Sequence, residues 1–189
     1  SRVLYPPVDV EPFRAAAVGV EPGDYYFTAL RLEGYKRVDL VMDACEQLGL
    51  PLKVAGTGPL LEKLRKSAGP TTEFLGFVSD LEMHHLMAGC RGFVFPPEED
   101  FGIAPVEALA AGRPVVALGK AGTAETVVDG ESGVHFAQQR VQDVVAALQR
   151  CEAMTWDPKV LQAQADKFSV AAFHDGLRAL VVEAASLKK

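Results

Sequence analysis

The sequence predicts an α/β protein, with a Rossmann-like doubly wound parallel sheet of about six strands flanked by helices. Short apolar runs of β-prone residues alternate with segments of helical periodicity, which is typical of parallel strands joined by right-handed crossovers. The runs are apolar almost throughout, as expected when helices cover both faces of a sheet. The 189 residues, 49% of them hydrophobic, suffice for one domain with its own core.

The strands are predicted where aromatic and β-branched residues cluster between turn signals. The last run is short and is expected at an edge of the sheet. Ligands of such folds bind beyond the carboxyl ends of the strands, so the loops that follow them are the candidate functional segments. The predicted strands cover residues 25–30, 52–55, 72–75, 92–95, 115–118 and 134–136.

The helices between these strands are predicted from apolar spacing and from end signals. Apolar residues recur at helical spacing from Val38 to Leu48, and Gly49 ends that helix. Ser79 and Glu82 have the spacing of a capping box. The other predicted helices run from Pro59 to about residue 68, over residues 105–111, and over residues 141–188 with breaks near Trp156 and Ser169.

Composition excludes several classes of function. Asp and Glu (25) outnumber Lys and Arg (19), and the net charge of −6 argues against sequence-independent nucleic-acid binding. No apolar run has the length of a membrane span, and no signal-peptide pattern is present. Cys45, Cys90 and Cys151 form no Cys-x-x-Cys pair, so they are interpreted as small buried hydrophobic residues of a reduced, cytoplasmic protein.

Two loops have the chemistry of a phosphate site. Arg31, Lys36 and Arg37 follow the first strand, where fixed cations would bind a diphosphate; a solvated charged turn is the alternative. Gly56 and Gly58 follow the second strand and would let backbone approach an anion, although a tight turn without ligand explains them equally well. This glycine pair is a weak dinucleotide motif, and no P-loop sequence is present.

A third loop carries paired carboxylates. Glu99 lies after the fourth strand and Glu107 on the following helix, so both could face one pocket and accept hydrogen bonds from a sugar or a ribose. Phe101, Gly102 and Ile103 would begin that helix with free N–H groups. The alternative is an acidic surface loop without a ligand. The spacing of these carboxylates matches no standard metal site.

The remaining polar candidates are less specific. Thr123 lies in a glycine-rich loop after the fifth strand and could cap a helix or contact a ligand. The histidines have neither zinc nor nucleophile spacing and are interpreted as structural or solvated. They are His84, His85, His135 and His174.

In combination these loops resemble retaining glycosyltransferases of family four, in particular the C-terminal, donor-binding half of their two-domain GT-B fold. The resemblance covers residues 5–185, and its most specific part is a Glu-x7-Glu segment that contains Phe-Gly-Ile. The acidic run before Phe101 is similar to that of bacterial mannosyltransferases that build surface polysaccharide. The matching segments are residues 31–40, 55–59, 74–80, 99–107, 110–116 and 125–130.

The resemblance implies a role for each matching residue. Arg31 and Lys36 would hold the donor diphosphate and stabilise the charge of the leaving group, while Glu99 would bind hydroxyls of the transferred sugar. The backbone N–H groups of Phe101, Gly102 and Ile103 would assist Glu99. The other implied donor-binding residues are Gly58 beside the phosphates, Phe77 and Val78 near the nucleobase, Glu107 at the ribose, and Thr123, which stands where the family often has a second glycine.

The resemblance also implies a domain organisation. Residues 1–24 would form the connector and leading segment, residues 25–170 the donor-binding domain, and residues 171–189 a helix packing toward an absent N-terminal acceptor domain. The chain is then an excised or truncated donor domain with little transfer activity of its own. Exposure of Phe173, Leu177 and Leu180 on the last helix would favour self-association.

The implied reaction moves a hexose from a nucleotide diphosphate sugar to a glycan or lipid-linked acceptor, with retention of the anomeric configuration. Mannose is the favoured hexose. GDP-mannose is the favoured donor and a UDP-sugar the alternative, and the family needs no metal or other cofactor. The full-length enzyme would be cytoplasmic, or peripheral at the inner face of the membrane. One competing interpretation is a non-catalytic nucleotide or sugar-phosphate binding module. The other is an NAD-dependent oxidoreductase, and the position of Gly56 and Gly58 argues against that one.

Overall fold

The computed structural model describes residues 3–186; Ser1, Arg2 and residues 187–189, which include the predicted end of the last helix, lie outside the described residues. The strands are β1 Tyr26–Ala29, β2 Leu52–Ala55, β3 Thr72–Gly76, β4 Gly92–Phe95, β5 Val115–Leu118 and β6 Gly133–Phe136. The helices are α1 Glu11–Ala16, α2 Val38–Leu48, α3 Leu61–Ser67, α4 Asp80–Gly89, α5 Ile103–Ala110, α6 Gly122–Thr126, α7 Val141–Glu152, α8 Pro158–Asp166 and α9 Val170–Ser186, with a 3-10 turn at Gly34–Lys36.

The six strands form one parallel sheet in the order β3-β2-β1-β4-β5-β6. Tyr26 of β1 pairs with Leu52 of β2 on one side and with Gly92 of β4 on the other. The chain winds outward from β1 to β3 and then crosses back to β4, so the topological switch point lies between β1 and β4. This confirms the predicted doubly wound sheet and the edge position of the sixth strand.

Successive side chains of each strand enter cores on opposite faces of the sheet. In β4, Phe93 and Phe95 pack into the core that also contains buried residues of α1, α4, α5 and α8. Val94 packs into the core formed with α2, α3 and α7. Because both faces are covered, the strands need to be apolar throughout, which explains the continuous apolar runs of the sequence.

The predicted end signals of two helices are confirmed. The Ser79 hydroxyl accepts from the Glu82 amide, and the Glu82 carboxylate accepts from the Ser79 amide at 2.8 Å, which completes the capping box. Gly49 ends α2 with a left-handed φ of 65°. The three cysteines are free and buried, as predicted.

The helix predicted from Pro59 begins two residues later, at Leu61. Tertiary hydrogen bonds hold the preceding turn, because the Leu60 amide donates to the Leu32 carbonyl at 3.1 Å and the Leu32 amide donates to the Thr57 carbonyl at 2.9 Å. The turn is therefore tied to the loop after β1 and does not continue the helix.

The helix predicted from residue 105 begins two residues earlier, at Ile103. Gly102 precedes it with a φ of 80°, a left-handed conformation that favours glycine and turns the chain into the helix. Ala104 and Pro105 then occupy the first turn, where a proline without N–H is tolerated.

The leading segment contains a helix that the sequence did not predict. Phe13 of α1 is buried and its ring lies 4.6 Å from that of His84 on α4, edge to face. The Val8 amide donates to the Phe168 carbonyl at 2.9 Å. These contacts make residues 8–16 part of the packed domain.

The long C-terminal helical region is interrupted at both predicted positions, between α7 and α8 and between α8 and α9. Within residues 3–186, no helix is both long and apolar enough to cross a lipid bilayer.

Candidate active site

The carboxyl ends of β1, β2 and β3 border a cavity of about 410 Å³. It lies where the loops after the strands meet, on the side of the sheet that binds ligands in doubly wound folds. The turns after β1 and β2 form one wall, and the turn after β3 with the start of α4 forms the other. The lining includes Arg31, Gly56, Thr57, Phe77, Val78 and Asp80.

Arg31 contributes the positive charge of this cavity. Its side chain is 73% exposed, and its Nε lies 2.9 Å from the Glu33 carboxylate. An ion pair this exposed is weak, so an incoming phosphate could replace Glu33 as the partner of the guanidinium.

Lys36 and Glu99 form an ion pair that joins the loop after β1 to the loop after β4. Their side chains are 13% and 28% exposed, so the pair is largely shielded from water. Burial acts to lower the pKa of Lys36, but the hydrogen bond and charge of Glu99 outweigh it, and the net shift is upward. Two residues 63 positions apart, both predicted for donor binding, thus meet at the topological switch point.

The loop that carries Glu99 is fastened to the loop after β5. The Gly122 amide donates to the Glu99 carbonyl at 2.9 Å. A Cβ at Gly122 would lie 2.2 Å from the Phe101 Cα, so only glycine allows the two backbones to approach this closely. The segment from Phe101 through Gly102 to Ile103 then leads into α5, whose first N–H groups have no partner within the helix.

Gly56 and Gly58 allow the loop after β2 to pass close to the loop after β1. A Cβ at Gly56 would lie 1.9 Å from the Leu30 carbonyl oxygen, and Gly56 has a φ of 126°. A Cβ at Gly58 would lie 2.5 Å from the Leu32 carbonyl oxygen. Close backbone approach in a tight turn therefore accounts for both glycines. Gly56 also lines the cavity.

The turn after β3 supplies an apolar wall. Phe77 is 83% exposed and Val78 is half-buried, and both line the cavity. An aromatic ring this exposed in a chain of ordinary composition provides a surface on which a planar group can stack.

Glu107 lies on α5 and is half-buried. Burial, with a smaller contribution from the charge of Asp80, raises the pKa of its carboxyl from 4.5 to about 7. Because Asp80 lines the cavity, this electrostatic coupling connects Glu107 to the same region. A carboxyl with a pKa near neutrality, next to a cleft, is typical of a functional site.

Thr123 is fully buried in α6. Its hydroxyl donates to the carbonyl of Lys120 at 2.9 Å and to that of Leu118. The side chain is thus committed to the turn after β5, and because the whole residue is buried, the structure exposes no part of Thr123 to a ligand.

Among residues 3–186, no group of three or more His, Cys, Asp or Glu side chains is arranged to hold a metal ion. His84 packs against Phe13, in agreement with the structural interpretation of that histidine.

Sequence reasoning missed the participation of Asp80. It was noted only as part of a matching segment, although its position directly after the Ser79 cap, at the carboxyl end of β3, is a signal that points to the ligand side of the sheet. The contact of Tyr5 with the Phe101 ring, at 6.1 Å between centroids, has no sequence signal because 95 intervening residues separate the two.

The sequence matches the profile of the family described as glycosyl transferases group 1 over residues 11–168. An uncharacterized glycosyltransferase of Methanocaldococcus jannaschii is 33% identical over 129 residues, which are 65% of this chain and 37% of that protein. O-antigen chain mannosyltransferase C of Escherichia coli is 32% identical over 102 residues, 50% of this chain and 28% of that protein.

The fold is also similar to that of a solved structure, Anabaena HepE in complex with UDP. The TM-score is 0.80 at 22% identity, and the match covers 96% of this chain and 57% of HepE. The chain thus spans less than two thirds of the proteins it matches.

Proposed function

The chain belongs to the group 1 glycosyl transferases, and from this premise we propose that it is the donor-binding domain of a retaining hexosyltransferase that uses a nucleotide diphosphate sugar. The observation that carries the proposal is the Lys36–Glu99 pair, which joins the loops after β1 and β4 at the switch point. Arg31, on the same loop as Lys36, lines the cavity. One cation and one carboxylate held together there suit a ligand with a diphosphate at one end and hydroxyls at the other.

The diphosphate is assigned to Arg31 and Lys36. In the transfer, the bond between the sugar C1 and the diphosphate oxygen breaks and that oxygen takes the electron pair, while an acceptor hydroxyl bonds to C1 and loses its proton. The two cations offset the charge that develops on that oxygen, and no metal is assigned to the step. Gly58, on the turn after β2, is assigned to the approach of the phosphates.

The transferred sugar is assigned to Glu99 and to the N–H groups that begin α5. Glu99 accepts hydrogen bonds from sugar hydroxyls, and the backbone of Phe101, Gly102 and Ile103 donates to them. The hydrogen bond from Gly122 to the Glu99 carbonyl holds this loop in position.

The nucleoside is assigned to the wall formed by Phe77, Val78 and Asp80, with Glu107 at the ribose. A guanine edge presents N1–H and an amino group side by side, which matches the two oxygens of a carboxylate such as Asp80. A uracil edge presents one N–H between two carbonyl oxygens, and a carboxylate would repel these. This contrast supports GDP-mannose as the donor and keeps a UDP-sugar as the alternative.

The acceptor is assigned to a part of the longer protein that this chain does not include. The match covers 57% of HepE and 28% of the O-antigen mannosyltransferase, which supports an acceptor site outside this chain. The similarity to an O-antigen chain mannosyltransferase supports a surface-polysaccharide enzyme, to which we assign a place in the cytoplasm or at the inner membrane face. Alone, the chain would bind donor and transfer little. On α9, Leu177 is 42% exposed, while Phe173 and Leu180 are half-buried. This stripe is assigned to contact with the acceptor domain, or to self-association without it.

Calorimetric titration with GDP, UDP and ADP tests the proposal. We expect GDP to bind most tightly, and Arg31→Ala to weaken that binding about tenfold, the effect of losing one charged hydrogen bond. Arg65→Ala, which removes an exposed arginine from α3, is the matched control and should leave the affinity unchanged. Asp80→Asn should reduce the preference for GDP over UDP.

The outcomes separate the parts of the proposal. Failure of all three nucleotides to bind would contradict a donor-binding domain. Tighter binding of UDP would refute guanine recognition by Asp80 and leave the domain assignment standing. Equal losses in Arg31→Ala and Arg65→Ala would show that Arg31 has no specific contact with the diphosphate.

A further inference from the structure

Three aromatic rings connect the start of the chain to the loop assigned to the donor sugar. The Tyr5 ring lies 5.1 Å from the Phe168 ring, edge to face, and 6.1 Å from the Phe101 ring, nearly parallel. Phe101 and Phe168 are themselves 5.6 Å apart. Tyr5 thus fills the space between the end of α8 and the loop after β4.

The backbone of the leading segment holds Tyr5 in this place. The Val8 amide donates to the Phe168 carbonyl at 2.9 Å, and Val8 also forms an isolated parallel bridge with Ser169. The nearby Glu125 carboxylate on α6 raises the pKa of the Tyr5 phenol. Tyr5 therefore contacts the loop itself through Phe101, and it contacts Phe168, whose ring also packs against Phe101.

Phe101 cannot move independently of the residues assigned to the sugar. It lies two residues after Glu99 and one before Gly102. Its Cα packs closely against Gly122, because a Cβ added at Gly122 would lie 2.2 Å from it. The Gly122 amide holds the Glu99 carbonyl at 2.9 Å. A shift of the Phe101 ring would consequently change where Glu99 and the first amides of α5 point.

We propose that Tyr5 is a positioning residue that holds the loop of residues 99–103 in its sugar-binding conformation from the leading segment of the chain. Insofar as it concerns the sugar, the inference rests on the function proposed above. In the longer protein, a movement of the segment ahead of Tyr5 would reach the sugar loop through this ring. The position of another domain and the affinity for the donor sugar would then be coupled.

The test compares Tyr5→Ala with two matched variants of the same segment. Tyr5→Phe keeps the ring and removes only the hydroxyl. Leu4→Ala removes a side chain from the neighbouring residue, whose tip packs against α9 at Gly176. Thermal unfolding first establishes that each variant is folded, and Tyr5→Leu replaces Tyr5→Ala if the alanine variant is not.

The first measurement is hydrogen exchange of the amides in residues 99–103. In Tyr5→Ala we expect exchange to accelerate at least about threefold, because the loop opens more often. Tyr5→Phe and Leu4→Ala should remain within about twofold of the parent chain. Unchanged exchange in Tyr5→Ala, or equal acceleration in Leu4→Ala, would overturn the inference whatever the ligand results are.

The second measurement is calorimetric binding of GDP and GDP-mannose, with UDP and UDP-glucose used instead if the parent chain prefers uridine nucleotides. In Tyr5→Ala, nucleotide affinity should stay the same, while the extra affinity of the nucleotide sugar should fall at least about threefold, since the competent loop is less populated. A purely structural role would weaken both ligands alike and would refute the inference. If the parent chain binds no nucleotide but Tyr5→Ala still accelerates exchange, the proposed function is refuted and the positioning role stands.

Discussion

Ionisation of Glu107 should make the free energy of unfolding depend on pH, and a single substitution should remove that dependence. Burial among the residues around α5, together with the charge of Asp80, raises the pKa of its carboxyl from 4.5 to about 7. That difference corresponds to about 3 kcal/mol of free energy between the two protonation states. Replacing Glu107 with Gln keeps the shape of the side chain and removes the ionisation.

The sign follows from comparing the folded and unfolded chains. The unfolded carboxyl loses its proton near pH 4.5 and the folded one near pH 7, so the folded state binds the proton more tightly. The resulting stabilisation is complete below pH 4.5, is lost as the pH rises to 7, and stays lost above it. The free energy of unfolding of Glu107→Gln, relative to the parent chain, should therefore increase by about 2 kcal/mol between pH 5.5 and pH 8.

Urea denaturation of both proteins at half-unit pH intervals measures this difference directly. Asp80→Asn serves as the control, because removing that charge should lower the folded-state pKa of Glu107 and so make the rise smaller. A difference between Glu107→Gln and the parent that does not vary with pH, or that favours the parent at pH 8, would show that Glu107 ionises at an ordinary pKa.

Two further predictions follow from the same site. Binding of GDP-mannose should strengthen about five- to tenfold from pH 6 to pH 8, because Glu107 ionises in this range and then accepts a hydrogen bond from the ribose, while the diphosphate keeps its charge. Calorimetry should find no such increase in affinity for Glu107→Gln. Tighter binding at pH 6 would contradict the assignment of Glu107 to the ribose. Gly56→Ala should lower the free energy of unfolding by more than about 1 kcal/mol, because its Cβ would lie 1.9 Å from the Leu30 carbonyl oxygen at a φ of 126°. Chemical denaturation should find Gly34→Ala, where nothing lies within 4 Å, nearly neutral, and similar losses at the two positions would refute this explanation.

Local patterns in the sequence were sufficient for the strands and for most helix ends. The predicted second, fourth and fifth strands coincide with Leu52–Ala55, Gly92–Phe95 and Val115–Leu118. Alternation of strands and helices was enough to predict a parallel doubly wound sheet, since only a few topologies accommodate it. The same reasoning failed at the start of α3 and for α1, where contacts with distant segments decide the backbone.

The candidate site was predictable as a set of loops. Because the carboxyl ends of parallel strands share one edge, the loops after the strands were the predicted location of the site, and the Lys36–Glu99 pair joins two of these loops. The role of each residue in donor binding stays a prediction.

What the sequence determined by itself is the order of elements, the apolar faces and the edge of the sheet at which polar loops collect, because these depend on neighbouring residues and on periodicity. The tertiary structure alone decided that Thr123 turns its hydroxyl inward, that Asp80 acts on the carboxyl of Glu107, and that Tyr5 rests on Phe101. These features depend on which distant segments come within a few ångströms and on how much water their packing excludes, and no local pattern of residues encodes either quantity.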